Sequence, residues 1–182
     1  MTSNLSFVRL TSSHSIKPFD CAEEDLDLKE FLFEDAVNYL KQLISVTYLI
    51  EDSHSTIAYF SLSNDKISIT EATSKSFWKK QVSKKLHFEK RGLHTFPAVK
   101  IGRLAVNKNY QRQGIGKMII DWVKESFTNK NKTGCLFIIV DAINRKKTLD
   151  FYKTCGFDFL NPKDQDDKTR LMYYCLLEEK EV

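Results

Sequence analysis

The 182-residue chain has only six Gly and three Pro, too few for a collagen-like or low-complexity protein. No apolar run approaches the ~18 residues that span a bilayer. The start, Met1 to Leu10, has no charged segment leading into a long apolar one. A chain without membrane span or leader, at work in the cytoplasm, is the expectation. The four cysteines, Cys21, Cys135, Cys155 and Cys175, contain no Cys-x-x-Cys pair, which argues against a zinc ribbon and against a small disulfide scaffold. Reduced, partly buried thiols are expected instead. A strong excess of one charge is also missing. The 28 Lys and Arg against 24 Asp and Glu leave +4, which permits an anionic ligand without identifying one. No internal repeat or linker interrupts the chain.

What is present is apolar and aromatic: 42% hydrophobic residues, with thirteen Phe, seven Tyr and two Trp. That is enough to bury one core, and the length suits a single domain over residues 1–182. Leu5 to Leu10 reads as a first strand, and Pro18-Phe19-Asp20-Cys21 as a break before a helix. Leu28, Phe31, Leu32, Ala36, Tyr39, Leu40 and Leu43 recur at three- and four-residue spacing, so that helix turns one stripe to a core. Acidic residues crowd its start, which suits the helix dipole. Val46 to Glu51 and Thr56 to Ser63 are β-rich, and Asp52-Ser53-His54-Ser55 between them has hairpin length and composition. A further strand is expected at Lys66 to Glu71.

From Ser74 to Thr95 basic residues dominate. Trp78, Val82 and Leu86 share a helical face there, and Lys80 and Lys84 point away from it. This island is either a solvated helix surface or an anion-binding one. Ala98 to Val106 reads as a strand, followed by a turn at Asn107-Lys108-Asn109 and a helix from Gly114 to about Asn129. That helix buries Ile115, Ile119, Trp122, Val123 and Phe127. Cys135 to Val140 is apolar throughout, as in a strand covered on both faces. Arg145 to Cys155 reads as a helix stopped by Gly156. Phe157 to Leu160 and Arg170 to Leu176 are closing strands around the polar loop Asn161 to Thr169. This order implies an α/β chain with a mixed sheet and helices on both sides.

The chemistry concentrates at Gln111-Arg112-Gln113-Gly114-Ile115-Gly116, where a strand passes into a helix. Two glycines let main chain approach an anion closely while unpaired N–H groups converge on it, an arrangement that suits a diphosphate. A Walker loop is excluded because Gln111 stands where its first glycine is required. A dinucleotide fingerprint is disfavoured because Ile119 stands where Gly or Ala is needed.

This loop resembles the pyrophosphate loop of the GNAT superfamily of acetyl-CoA-dependent N-acetyltransferases, Gln/Arg-x-x-Gly-x-Gly/Ala. Its flanks resemble the family too: Gly102-Arg103-Leu104-Ala105-Val106 before it, and Asn144 and Phe151-Tyr152-Lys153-Thr154-Cys155-Gly156-Phe157 after it. The resemblance implies a central, mostly antiparallel mixed sheet of six to seven strands with about four helices, and acetyl-CoA as cofactor. It implies that main-chain amides from Arg112 through Gln113, Gly114, Ile115 and Gly116 to Lys117 hold the pyrophosphate, with charge added by Arg112 and Lys117. It implies further that the edge of Leu104, Ala105 and Val106 pairs with pantetheine, and that an amide near Val106 polarises the thioester carbonyl. Asn144 matches a cofactor-contacting position, and its other expected role is the N-cap of the following helix. Tyr152 matches the general acid that protonates the departing sulfur.

One departure bears on the acceptor. Val99-Lys100-Ile101-Gly102-Arg103-Leu104 contains no acid or His where many relatives carry a general base, and Glu71 and His94 are the nearest alternatives. An enzyme without a strong base favours an amine already partly neutral, an α-amine at about 7.7–8.0 rather than lysine at about 10.4. A second resemblance agrees. Phe19-Asp20-Cys21, Leu26-Asp27, Phe31-Leu32, Thr47-Tyr48-Leu49-Ile50 and Ala58-Tyr59-Phe60-Ser61-Leu62 are similar to the GNAT toxins that acetylate the α-amine of aminoacyl-tRNA, although Cys21-Ala22 replaces their usual Cys-Gly. That likeness implies tRNA, an antitoxin and a second copy of the chain as partners, with Lys79, Lys80, Lys84 and Lys85 available to RNA phosphates. A GNAT enzyme acting on a small-molecule or peptide amine is the alternative acceptor reading. A non-catalytic CoA- or nucleic-acid-binding module is the alternative of another class.

Overall fold

The computed structural model describes residues 7–68, 94–129 and 133–179. The basic island, with Lys79, Lys80, Lys84 and Lys85, lies outside these residues, as does Glu71. Seven strands form one mixed sheet in the order β1-β2-β3-β4-β5-β7-β6. They are β1 (Phe7–Arg9), β2 (Val46–Glu51), β3 (Thr56–Ser68), β4 (Thr95–Val106), β5 (Phe137–Ile143), β6 (Asp158–Phe159) and β7 (Thr169–Cys175). Pairing is antiparallel for β1/β2, β2/β3, β5/β7 and β6/β7, and parallel for β4/β5. The described residues gather in two compact units, those within 1–63 and 101–121 and those within 64–100 and 122–182.

In the first unit the expected hairpin forms, with Val46 opposite Leu62 and Ile50 opposite Ala58. Its turn is built by Asp52, whose carboxylate accepts from the amides of His54 at 2.7 Å and Ser55 at 2.8 Å. The expected N-terminal helix is broken into α1 (Leu26–Glu30), a π-helical turn (Phe31–Asp35) and α2 (Ala36–Lys41). The amide of Ala36 reaches back five residues to the Phe31 carbonyl. The widening follows from a distant side chain: Tyr59 Oη donates to the Leu28 carbonyl at 2.5 Å, inserting into the helical ladder. Phe31, Leu32 and Ala36 are buried with Leu10, Phe19, Leu49, Tyr59 and Ala105. The stripe stops short of its expected end. Tyr39 is at the surface, and Leu43 is 91% exposed because it takes a left-handed φ of 59° beyond the last helical turn.

In the second unit a core forms from Ile67, Phe96, Ala98, Phe137, Ile139, Leu160, Tyr173 and Cys175. The separate strand expected from Lys66 is the far half of β3, which runs on through the polar residues Asn64 to Lys66. Those residues look like a turn by composition, yet Asp65 meets Lys100 of β4 at 3.8 Å and remains in the strand. The β5 strand begins at Phe137 and carries an exposed Asp141, which pairs with Lys100 at 2.5 Å. None of the four cysteines is in a disulfide, and burial pushes the Cys135 thiol up to about 11.

The helix after the glycine loop, α3 (Ile115–Thr128), buries Ile115, Ile119 and Val123 as expected, and also Ile120, whereas Trp122 and Phe127 of the expected stripe are only half-buried. Full burial of one such isoleucine contributes roughly 1.5–3 kcal/mol. The last long helix, α4, spans Lys146–Thr154. No helix among the described residues is long and apolar enough to cross a membrane.

Candidate active site

The loop between β4 and α3 has the shape its glycines foretell. Gly114 takes φ +81°, and Arg112, which bears a side chain, takes φ 61°. A Cβ added at Gly114 would meet nothing within 4 Å, so the space beside this glycine is open to a ligand rather than filled by protein. Met118 makes the first helical bond, donating to the Gly114 carbonyl at 3.0 Å. The amides of Ile115 and Gly116 precede it, in the turn of a helix where N–H groups ordinarily have no partner within the helix itself. A turn of this kind fits a diphosphate, since two left-handed residues aim successive amides into one concavity at the positive end of a helix.

Side chains hold the loop in place. Gln111 Nε2 donates to the Val106 carbonyl at 3.3 Å, and Gln113 Nε2 to the Asn109 carbonyl at 3.5 Å. Asn107, only 3% exposed, is the hub. Its Nδ2 donates to the Thr56 carbonyl at 3.1 Å, its Oδ1 accepts from the Asn109 amide at 3.2 Å, and its own amide donates to the Ile57 carbonyl at 2.8 Å. Tyr110 Oη then donates to Asp52 Oδ2 at 2.7 Å, tying the loop to the β2–β3 hairpin. The His54 amide, the Tyr110 hydroxyl and the Ser55 amide together hold the Asp52 carboxyl well below the usual range. Sequence reasoning read Asn107 only as a turn residue and Asp52 only as a hairpin residue. Both are short polar side chains next to a strand end, which was the available signal. Of the two expected cations, Arg112 is exposed, and Lys117 forms an ion pair with Asp121 at 2.6 Å.

On β4, the ladder with β5 covers Ala98↔Phe137, Val99↔Ile138 and Lys100↔Ile139, and β4 itself continues to Val106. Leu104 and Val106 are half-buried and Ala105 is buried.

In the second unit, Tyr152 sits in the last turn of α4. The chain ends that helix with two crossed bonds: the Gly156 amide donates to the Lys153 carbonyl at 2.9 Å, and the Phe157 amide to the Tyr152 carbonyl at 3.0 Å. Gly156 supplies the left-handed residue this requires, at φ +88°. The Tyr152 ring is 6% exposed and packs edge-on to Phe151 at 5.0 Å and Phe157 at 5.4 Å. Burial pushes the phenol above its ordinary range, with the nearby Cys155 thiol adding to it. The Tyr152 phenol therefore stays neutral throughout the physiological range.

Asn144 departs from one of its two expected roles. The N-cap of α4 is Arg145, and Asn144 does not cap it. Instead Asn144 Nδ2 donates to the carbonyls of Gln165 at 2.7 Å and Asp167 at 2.8 Å, and its amide to that of Lys168 at 3.0 Å. The residue anchors the polar loop before β7. His94 is exposed at the start of β4, and no acid stands on Val99 to Leu104. No cluster of His, Cys, Asp and Glu among the described residues could hold a metal ion.

A mixed sheet whose strand β4 leads through a glycine turn into the N-terminus of α3 has a place suited to a diphosphate-bearing ligand. The model for the acetyltransferase (GNAT) domain matches residues 46–158, and the chain belongs to that family, whose members use acetyl-CoA. Solved structures of similar shape include AtaT complexed with acetyl-methionyl-tRNAfMet, at 22% identity and a TM-score of 0.73, covering 97% of this chain and 98% of that one. AtaTR bound with AcCoA is similar at 24% identity and a TM-score of 0.72, with 98% of both chains covered. The KacTA–DNA complex is similar at 25% identity and a TM-score of 0.64, with 97% of both covered.

Proposed function

We propose that this acetyltransferase modifies the α-amine of an aminoacyl-tRNA. The observation that carries the donor side is the open space beside Gly114, in a turn with left-handed Arg112 at the entry to α3. The acceptor side is supported by the end-to-end similarity to AtaT, solved with acetyl-methionyl-tRNAfMet, and by the lack of an acid along Val99 to Leu104.

Acetyl-CoA supplies an acyl group activated as a thioester. Amides from Arg112 to Lys117 bind its diphosphate, with Arg112 contributing charge and Lys117 sharing its charge with Asp121. The main chain of Leu104 to Val106, beyond the last β4–β5 pair, offers an edge to the pantetheine amides, and the Val106 region offers an amide to the thioester oxygen as negative charge develops there. Asn144 keeps its carboxamide oxygen for the cofactor while its nitrogen holds the loop at 165–168.

The amine nitrogen forms its bond to the carbonyl carbon as the carbon–sulfur bond breaks, and the proton the amine sheds ends on sulfur. Tyr152 donates a hydrogen bond to that sulfur. Its raised pKa makes complete transfer to a thiolate near 8–9 unfavourable without replenishment. The phenol therefore relays the amine's proton rather than giving up its own for long. Without a carboxylate base the rate follows the fraction of neutral amine, which at neutral pH is far larger for an α-amine than for a lysine side chain.

The reading places the protein in the cytoplasm, where charged tRNA is found, with the basic residues Lys79, Lys80, Lys84 and Lys85 meeting RNA phosphates. It also gives the chain an antitoxin and a second copy of itself as partners, in line with AtaT structures solved with the C-terminus of the antitoxin AtaR. Incubating the purified protein with labelled acetyl-CoA and charged tRNAs, polyamines or peptides tests it. Label is expected on the amino acid released from tRNA. Label confined to polyamines or peptides would overturn the acceptor.

A further inference from the structure

β4 carries a charge that the cofactor does not account for. Arg103 is exposed, while Ile101 and Ala105, the residues two places away on the same strand face, are buried at 2% and 5%. The guanidinium lies over the Phe31 ring, 5.2 Å from its centroid, and Nη1 donates to the Gly102 carbonyl at 2.8 Å. Phe31 is itself fixed. It opens the π-helical turn, stacks on Tyr59 at 6.2 Å and meets Tyr39 edge-on at 5.4 Å, while Tyr59 is tied to the Leu28 carbonyl. The π turn that Tyr59 induces thus sets the platform on which the guanidinium rests.

The surroundings should have neutralised this arginine. The neighbouring helical segment carries Glu23, Glu24, Asp25, Asp27, Glu30, Glu34 and Asp35. Even so, Arg103 forms no ion pair among the described residues, and about four of its five N–H donors remain uncommitted. A flat cation, braced from behind by an aromatic ring and with its edge kept open, is suited to bidentate capture of an oxyanion. It precedes by one residue the Leu104–Val106 edge.

We propose that Arg103, braced on Phe31, binds a phosphate of the acceptor's terminal nucleotides and so anchors the α-amine for attack. The proposal rests on the aminoacyl-tRNA reading. In an aminoacyl ester the amino acid's own carboxylate has been consumed, which leaves the phosphodiester as the anion near the amine. The acidic segment repels a long run of phosphates, so Arg103 takes the end of the strand and not its length. Arg103 is a positioning residue; it leaves the bond-making to the amine.

The test compares Arg103→Met and Arg103→Lys with the unaltered enzyme in full kinetic curves on one aminoacyl-tRNA, with CoA affinity read by calorimetry. Arg103→Met is expected to raise KM for the tRNA about tenfold, the lower part of what a charge-assisted contact contributes. It should also reduce the slope of log affinity against log salt by about 0.7–0.9, the loss of one phosphate contact. Arg103→Lys, which keeps the charge and loses the fork, should fall between. CoA affinity should stay within about twofold. An unchanged KM and slope would overturn the proposal, as would a fall in kcat with KM kept, or a loss of CoA affinity. Should the unaltered enzyme bind CoA but acetylate no charged tRNA, the acceptor reading itself fails, a result distinct from any of these.

Discussion

Two glycines share a left-handed backbone and do opposite things with it. Gly114, at φ +81°, has nothing within 4 Å of where a Cβ would stand, whereas a Cβ on Gly156, at φ +88°, would lie 3.0 Å from Tyr174 Cε2. The first glycine keeps room for a ligand. The second makes room for the protein's own packing, since Lys124 Nζ lies over the Tyr174 ring at 3.6 Å from its centroid and a Cβ on Gly156 would stand 3.9 Å from that nitrogen. The same residue type in the same conformation therefore leaves open space at one turn and closes the helix that carries Tyr152 at the other.

Substitutions should separate the two roles. The largest effect is expected from Gly114→Val. Backbone strain of about 1–3 kcal/mol would add to a side chain placed in the phosphate's approach. CoA affinity by calorimetry should fall more than about 100-fold, with folding retained by circular dichroism. Retained affinity would break the comparison. Next is Tyr152→Phe, expected to lower kcat about 100-fold, the lower end for a positioned proton donor, with CoA affinity almost unaltered. Because the Tyr152 pKa is raised, the phenol stays protonated where an ordinary tyrosine would ionise. The rate profile of the unaltered enzyme should then show no alkaline fall up to about pH 10 from this group. A fall centred near 9 would contradict the burial argument. The smallest effect is expected from Gly156→Ala, a loss of roughly 1–3 kcal/mol in urea unfolding from strain and the encounter with Tyr174. Lower kcat with CoA affinity kept would sharpen the distinction, and a loss of CoA affinity would blur it.

Much of this was legible in the sequence because it depended on near neighbours. The Asp52-Ser53-His54-Ser55 turn, the loop from Gln111 to Gly116 and the stop at Gly156 are each dictated within a few residues, and each stands where the spacing put it. What escaped was decided by partners far along the chain. The π turn at Phe31 exists because Tyr59 takes the Leu28 carbonyl. Asn144 abandons the helix cap because the carbonyls of Gln165 and Asp167 come within reach of its amide. The stretch from Asn64 to Lys66 stays in a strand because β3 continues beside β4 in the sheet, where Asp65 also meets Lys100. Side-chain periodicity carries no record of such meetings, so the sites that hold the loop in shape were harder to foresee than the loop itself.

The bond from Tyr110 to Asp52 has a practical consequence. The glycine-bearing turn is tied to a hairpin more than fifty residues earlier in the chain. The tip at Ser53 and His54 looks like a harmless place for an epitope or a fluorophore, yet it adjoins Asp52, whose carboxylate holds Tyr110 at the entrance to the glycine loop. A label placed there would disturb the bond that ties the loop down, whereas Leu43, 91% exposed, lies outside the turn that carries it.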